Sequence, residues 1–340
     1  MVTPRLRSGQ AHHPLRRGVP VIALCGVAMV AAIFGAPFIG STPIEFSRVF
    51  SRTISFADNP DAQIFFLARL PRALAAALVG GSLAAAGVVF QGLLRNPLAT
   101  PYTLGVSSGA ALGAMLAITF GTALPFGVAS ASLAGAALAV AVVYALASAR
   151  HAGISTTVLL LAGVTLNAFF SALILFVQFL SSMTQVFRAM RWLMGDLDVG
   201  GYEPIVAALP FVLLALAAFA WLARPLNLLS LGADAAEARG VNVVAAQRVA
   251  FFSASVATGA AVSVGGPIGF VGIIVPHLVR MLVGADHRLV LPASIGFGAA
   301  FLVMCDVIAR TLIAPLEIPV GVITALLGGP FFLWLLMRKR

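Results

Sequence analysis

Long apolar runs separated by short polar segments make up most of the chain. Each run has the length or composition of a membrane-spanning helix, which needs about 20 predominantly apolar residues. The runs lie at 18–40, 70–94, 103–123, 127–149, 154–180, 203–223, 246–264, 267–283, 290–312 and 319–337. The pattern predicts an all-α polytopic membrane protein with about ten transmembrane helices. It is weakest at 103–123 and 267–283.

Two interruptions of the helical pattern fall inside this apolar sequence. The first is RNPLATP at 95–101, where Asn96-Pro97 and Pro101 stop a run that is rich in alanine and glycine. The second is the glycine-rich GGPIG at 265–269. Irregular backbone at membrane depth is tolerated only where protein or a water-filled cavity covers it. The breaks therefore indicate the wall of a pathway, and their occurrence in each half of the chain predicts two related halves.

Composition places the chain outside the soluble classes of protein. Hydrophobic residues make up 61% of it and charged residues 9%, and the mean hydropathy is +1.05. The first run is too long for the apolar core of a cleavable signal peptide and is followed by many further spans. We therefore expect a basic tail at 1–17, followed by a single transmembrane domain at 18–340.

Basic residues are unevenly distributed between the two sides that alternating spans define. If both termini are cytoplasmic, that side receives most of the 21 arginine and lysine residues. Cytoplasmic loops of membrane proteins carry such an excess, so the sequence predicts cytoplasmic termini. The net charge of +10 is then a consequence of topology and of contact with anionic lipid. No nucleic-acid partner is expected.

Three polar segments between spans are long enough to carry structure of their own. The outer loop 41–68 has room for a short surface helix. The outer segment 181–202 shows apolar residues at helical spacing and predicts an amphipathic helix, which is either an outer gate or an interfacial anchor through Trp192. The inner loop 224–248 is typical of two short helices separated by glycine, and its length indicates a docking surface for a cytoplasmic partner.

Catalytic or metal-binding chemistry has little support in the sequence. His277 follows Pro276 without a cysteine or carboxylate nearby, which favours a structural or gating hydrogen bond over a metal ligand. Cys25 and Cys305 lie inside apolar runs without metal-type spacing, and we expect them to pack. We expect no enzyme active site, no bound metal and no cofactor on this chain.

Two observations bear on how transport would be driven. The only lysine is Lys339, so the chain cannot form a phosphate-binding P-loop, which requires a lysine after its glycines. ATP and its Mg would therefore bind to a separate ATPase. Asp306 is the one deep carboxylate, four residues before Arg310, at the spacing of a helical ion pair. An ionisable residue within a span is a functional candidate.

Six motifs occur in the order found in a known family. They are RLPR (69–72), Gln91 with RNPLATP (95–101), LGVSSGAALG (104–113), GPIGFVGIIVPHLVR (266–280), GADHR (284–288) and PVGVITALLGGPFFLWLL (319–336). Over nearly its full length the chain resembles the FecCD-type permeases, the membrane subunits of type II ABC importers for iron–siderophores, haem and vitamin B12. The resemblance implies a homodimer of ten-helix subunits in the cytoplasmic membrane of a prokaryote. It also implies two cytoplasmic ATPase subunits and an extracytoplasmic substrate-binding protein as partners.

The same resemblance implies roles for three sets of residues. Outer arginines would dock the binding protein, hydroxyl residues before the fifth span would form the cytoplasmic gate, and the inner loop would seat on the ATPase. The sets are Arg69, Arg72 and Arg310 for docking, Ser155, Thr156 and Thr157 for the gate, and Leu231, Gly232, Ala236, Arg239 and Gly240 for coupling. The three arginines have snorkelling at a helix end as their alternative role. Arg239 stands where the family commonly has leucine.

The sequence thus predicts the permease of an ABC importer that moves a metal chelate inward by ATP-driven alternating access. A ferric siderophore is the favoured chelate, and haem or cobalamin are the alternatives within the family. An ion-coupled secondary carrier that depends on Asp306 is the alternative from another class.

Overall fold

The computed structural model describes residues 14–121, 127–148 and 156–338. Within those ranges the regular structure is helical, apart from one isolated β-bridge between Ile313 and Leu316. The helices are α1 (Pro14–Gly35), α2 (Phe46–Val49), α3 (Pro60–Gln63), α4 (Leu70–Leu94), α5 (Val106–Phe120), α6 (Gly127–Ser148), α7 (Thr156–Leu180), α8 (Met183–Leu193), α9 (Glu203–Leu229), α10 (Ala233–Glu237), α11 (Val243–Gly265), α12 (Val271–Val283), α13 (His287–Thr311) and α14 (Val320–Arg338). A π-helical segment, Ile64–Arg69, joins α3 to α4.

Every predicted run contains one of the longer helices, which confirms the all-α polytopic fold. Among the described residues, seven helical stretches are long and apolar enough to cross a membrane, and α5, α12 and α14 are shorter apolar helices. The two runs with the weakest pattern, 103–123 and 267–283, gave α5 and α12. These helices are short because the first residues of each run belong to an interruption, as the prolines and glycines there require.

Helix α4 lies at the centre of the bundle. In an apolar 18-residue stretch of the helical segment Pro60–Leu94, 89% of the residues are buried inside the protein. Helix α4 packs against α9, α11, α12 and α13. Its glycines permit this contact. A Cβ on Gly80 would overlap the carbonyl oxygen of Gly298 in α13, and one on Gly87 would overlap that of Gly272 in α12. Small residues let helices approach closely where lipid provides no hydrophobic driving force, so these glycines allow α4 to pack closely against its neighbours.

The outer helices present apolar side chains to their surroundings. Leu24 of α1, Leu161 and Phe179 of α7, and Leu214 of α9 are all exposed. A continuous surface of this kind would aggregate in water, whereas in a bilayer it contacts lipid or another membrane subunit. The described surface is that of an integral membrane protein.

The two interruptions occur where the sequence predicts them, and they contact each other. In the first, Arg95 ends α4 in the left-handed region with a φ of 49°. In the second, Gly266 and Phe270 have φ values of 67° and 68° just before α12. The Tyr102 hydroxyl donates to the carbonyl oxygen of Ile268 at 2.5 Å and so joins the two segments. Protein thus covers irregular backbone at the point of contact. The relation between the two halves of the chain stays a prediction.

Two of the three polar segments fold as predicted. Helix α8 is the expected amphipathic helix, and a capping box fixes its start: the Ser182 hydroxyl accepts from the Gln185 backbone N–H at 3.4 Å, and the Gln185 side chain accepts from the Ser182 backbone N–H at 2.9 Å. The outer loop holds the short helices α2 and α3. Asn59 ties them together, because its side-chain amide donates to the Arg48 carbonyl oxygen at 2.6 Å.

The inner loop 224–248 departs from its prediction. The expected two short helices are wrong: the structure has one, α10, between two long helices. Helix α9 continues through Pro225 because Leu222, Leu226 and Leu229 lie on one face and are buried. Burial of that face outweighs the single backbone hydrogen bond that proline removes.

Gly80→Ala should destabilise the protein, because the added methyl group overlaps the Gly298 backbone, which no rotamer change can relieve. Overpacking of this kind costs about 1–3 kcal/mol. Gly26→Ala in α1 is the matched control, since nothing lies within 4 Å of its added carbon and alanine is the better helix former. Thermal unfolding in detergent compares the two variants. Equal stability would contradict the close packing of α4.

Candidate functional site

An ion-pair cluster lies where the start of α4 meets the end of α13. Arg72 donates from Nε to Oδ1 of Asp306 at 2.8 Å and from Nη1 to Oε2 of Glu317 at 2.6 Å. Oδ2 of Asp306 lies 3.6 Å from Nε of Arg310, so the ion pair predicted from their spacing is present. We call Arg72, Asp306, Arg310 and Glu317 the Arg72 cluster.

Arg69 and Arg310 anchor this end of the bundle to the segment after α1. Arg69 donates to the carbonyl oxygens of Pro37 and Thr42 at 3.0 and 2.5 Å, and Arg310 donates to that of Ala36 at 2.6 Å. Only 8% of Arg69 and 5% of Arg310 is exposed. Both guanidinium groups are therefore bonded within the fold, which differs from snorkelling into the interface.

A cavity of about 810 Å³ opens beside the Arg72 cluster. Helix α8 and the residues after it form another wall, where Arg191 donates to Asp196 at 2.9 Å. The charged residues that line the cavity are Arg69, Arg72, Arg191, Asp196, Asp198, Arg310 and Glu317. The structure thus brings the three arginines expected to dock a binding protein to one cavity. Their docking role stays a prediction.

Asp306 is the carboxylate on which an ion-coupled carrier would depend. It is 2% exposed, and its two oxygens face the guanidinium groups of Arg72 and Arg310. Removing one member of such a buried pair leaves an uncompensated charge, so the members depend on one another. This geometry favours a structural ion cluster over a carboxylate that is loaded and unloaded during transport.

A second polar cluster lies at the opposite end of α13. The Asn227 side chain in α9 donates from Nδ2 to Oδ1 of Asp286 at 2.6 Å, and its Oδ1 accepts from the His287 backbone N–H at 2.8 Å. The Arg288 guanidinium donates to both carboxylate oxygens of Asp286, and these bonds lower the pKa of Asp286 to about 2. We call Asn227, Asp286, His287 and Arg288 the Asn227 cluster.

Gln91 connects α4 to α12 near this second cluster. Its Nε2 donates to the Gly272 carbonyl oxygen at 3.0 Å, and its Oε1 accepts from Nη1 of Arg280. Sequence reasoning assigned no role to Gln91, Arg280 or Asn227, because their partners lie between 59 and 189 residues away along the chain. The one local signal is Asp286, an aspartate at the position that caps the following helix.

The five residues expected to couple to an ATPase all lie on or beside α10. Gly232 and Gly240 have φ values of 119° and 81°, which favour glycine on either side of the helix. Ala236 is buried and fixes α10 against the bundle, while Leu231 is 64% exposed and Arg239 is exposed. An exposed leucine and a cation beside a buried alanine suit a small docking surface, and that role stays a prediction.

The predicted gate is described only in part. Ser155 lies outside the described residues, and Thr156 is the first residue of α7. Thr157 is exposed. The role of these three residues stays a prediction.

The histidine and cysteines singled out in the sequence lie among packed side chains. The His277 ring meets that of Phe331 at a centroid distance of 6.3 Å. Cys25 and Cys305 are both buried. Within the three described ranges, no group of three or more histidine, cysteine, aspartate or glutamate side chains is placed to hold a metal ion.

Comparison with known proteins identifies the family. A family model described as the FecCD transport family matches residues 27–338. The chain belongs to the FecCD transport family. This family consists of membrane permeases of ABC importers, so the chain is such a permease.

Relatives match this FecCD permease over most of its length. The hemin transport system permease protein HmuU of Yersinia pestis is 40% identical over 321 residues, covering 92% of this chain and 94% of that protein. The cobalamin import system permease protein BtuC of Halobacterium salinarum is 47% identical over 272 residues, covering 80% and 73%. A solved structure of a metal-chelate type ABC transporter in an inward-facing conformation is similar with a TM-score of 0.80 at 34% identity, covering 94% of this chain and 99% of that one.

Asp306→Asn should destabilise this FecCD permease by about 3–5 kcal/mol, because buried Arg310 and half-buried Arg72 would lose the carboxylate they share. Glu317→Gln removes the other acid that Arg72 contacts, but the Glu317 side chain is 44% exposed. This matched change should cost less than about 1 kcal/mol. Unfolding of both variants in detergent measures the two effects. Equal losses would show that the cluster does not depend on Asp306.

Proposed function

We propose that this permease carries a metal chelate inward across the cytoplasmic membrane of a prokaryote by ATP-driven alternating access. A ferric siderophore is the favoured chelate. The observation that carries the proposal is the placement of the arginine-lined cavity and of α10 at opposite ends of α13. With 25 residues, α13 spans about 37 Å, which exceeds the roughly 30 Å of a bilayer's hydrocarbon core. An importer needs such opposed faces, one for a loaded binding protein and one for an ATPase.

At the α10 end, the partner is a cytoplasmic ATPase. Leu231 and Arg239 are exposed there, and buried Ala236 links any force on α10 to the bundle. ATP and Mg bind to this partner, because the chain's single lysine, Lys339, follows no glycine-rich loop. Two copies of the permease and two ATPase subunits form the transporter, with the substrate path between the permeases. The exposed apolar face of α7 supports contact with a second membrane subunit.

At the cavity end, the partner is an extracytoplasmic binding protein. Arg72 is the docking arginine that the geometry supports best, because its side chain lines the cavity, retains 13% exposure and pairs with a carboxylate, that of Glu317, which is itself exposed. Arg69 and Arg310 donate to backbone carbonyl groups and thereby fix the cavity wall beside Arg72. An acidic side chain of the binding protein would take the place of the exposed Glu317 carboxylate as a partner of Arg72.

The choice of cargo is supported by the relatives. Similar proteins are named for hemin and for cobalamin, and the similar solved structure is of the metal-chelate type. A chelated metal is what these cargoes share. A ferric siderophore is favoured because iron chelates form the broadest cargo group of FecCD permeases, and haem and cobalamin are the alternatives.

Proteoliposomes that contain this chain and its ATPase, with binding protein and radiolabelled chelates outside, should accumulate one chelate only when ATP is inside. The panel holds ferric siderophores, haem and cobalamin. At equal amounts of folded transporter, Arg72→Gln should reduce accumulation about tenfold or more, because it removes a docking charge from the cavity wall. Arg48→Gln is the matched control: this arginine is exposed on α2, outside the cavity, and accumulation should stay unchanged.

A secondary carrier would behave differently in the same vesicles. It would accumulate chelate along an ion gradient without the ATPase, and Asp306→Asn would abolish that accumulation even where the variant is folded. This result would overturn the ABC mechanism. ATP-dependent uptake with equal rates for Arg72→Gln and the wild type would overturn the docking role alone.

A further inference from the structure

One amide side chain joins three helices at the α10 end of the bundle. Asn227 of α9 donates to Asp286 at 2.6 Å, and its oxygen lies 2.8 Å from the His287 backbone nitrogen and 2.7 Å from ring Nδ1 of the same histidine. The histidine ring in turn lies against Gly92 of α4, where an added Cβ would stand 3.0 Å from Nε2. Asn227 therefore bonds α9 to α13, and the His287 ring that it orients packs against α4.

Capping of α13 does not account for this arrangement. Asp286 is already the N-cap of α13, and its Oδ1 accepts from the Arg288 backbone N–H at 3.0 Å. Asn227 reaches the same corner from 59 residues away in the chain. Its bonds therefore fix the position of one helix against another.

Asn227 lies in the final turns of α9, just before the segment expected to contact an ATPase. Buried Leu226 and Leu229 hold that part of α9 against the core. Asn227 lies five residues before Gly232, the N-cap of α10. The connecting residues Ser230 and Leu231 are exposed, while Leu229 is buried, so a displacement of α10 reaches Asn227 over a short connection.

Helices α4 and α13 lead from Asn227 to the Arg72 cluster. On α4, Gly92 and Arg72 are separated by about 30 Å of helix, and on α13, His287 and Arg310 by about 35 Å. At the far end the two helices are joined by the Arg72–Asp306 ion pair, and midway by the contact of Gly80 with Gly298. The same two helices are thus joined by an ion pair at the Arg72 end and packed together at the His287 end.

We propose that Asn227 is the positioning residue that couples movement of α10 to the Arg72 cluster. It does so by fixing α9 to α13 and, through His287, to α4. The inference rests on the proposed function, in which α10 contacts the ATPase and the Arg72 cluster contacts the binding protein. Without the Asn227 bonds, α10 moves while α4 and α13 stay in place. The two partners then bind but no longer influence each other.

The test uses the complete transporter in proteoliposomes, with the loaded binding protein as the probe. Asn227→Ala should lower the stimulation of ATP hydrolysis by the binding protein about tenfold, and chelate uptake with it. Basal ATP hydrolysis and the Kd of the binding protein should stay within about twofold of wild type, which a general loss of structure would not allow. Ser230→Ala is the matched control, since its hydroxyl bonds only the Asn227 carbonyl oxygen of its own helix, at 2.7 Å. This control should behave as wild type.

An isosteric variant keeps the test decisive if Asn227→Ala fails to fold. Asn227→Asp preserves the side-chain shape and an acceptor for the His287 N–H, but it replaces the donor toward Asp286 with a second carboxylate, so stimulation should fall. A fall in stimulation at an unchanged basal rate supports the inference, because a general loss of structure would lower both.

Two outcomes overturn the inference, and they differ from each other. Stimulation that stays within about twofold of wild type in Asn227→Ala or Asn227→Asp, or that falls only together with basal hydrolysis, rejects the role of Asn227 while leaving the importer intact. A wild-type transporter whose ATP hydrolysis ignores the binding protein rejects the proposed function, and the inference with it.

Discussion

The close approach of α4 to its neighbours is the constraint on which the rest of the structure depends. At Gly80 and Gly298 the backbones of α4 and α13 touch, and at Gly87 α4 touches α12 in the same way. In lipid, contact between small residues and interhelical hydrogen bonds must hold helices together. Charges on α4 and α13 can therefore meet at the helix ends only because the helix axes are this close.

The polar groups of the bundle are arranged around that contact. Asp306 and Arg72 pair across the α4–α13 interface, and each would be costly to bury alone. An ion pair of this kind adds little net stability beyond that of an apolar pair, but it forms only when the two helices have one particular register. Packing thus sets the separation of the helices, and the ion pair selects their axial position.

The pattern of residues along the chain predicts where the helices lie, but it does not predict the contacts between them. The bounds of α4 coincide with an apolar run, and the proline and glycine breaks lie where these residues must interrupt a helix. The inner loop was mispredicted because Pro225 is a local stop signal that tertiary burial overrides. The family resemblance singled out Arg69 and Arg310, yet their carbonyl partners near the end of α1 carry no sequence signal. Glu317 and Asn227 acquire their partners only when distant helices meet.

The shortness of α5 and α12 has a consequence for the surrounding bilayer. With 15 and 13 residues, they extend about 22 and 20 Å, roughly 10 Å less than the hydrocarbon thickness. The preceding irregular segments cross the remaining depth, and the bond from Tyr102 to Ile268 pairs them with each other. Pro101 and Ile268 are buried, so lipid does not contact the peptide groups there. The hydrophobic thickness of the protein is therefore set by its long outer helices, and the membrane need not thin to match its shortest ones.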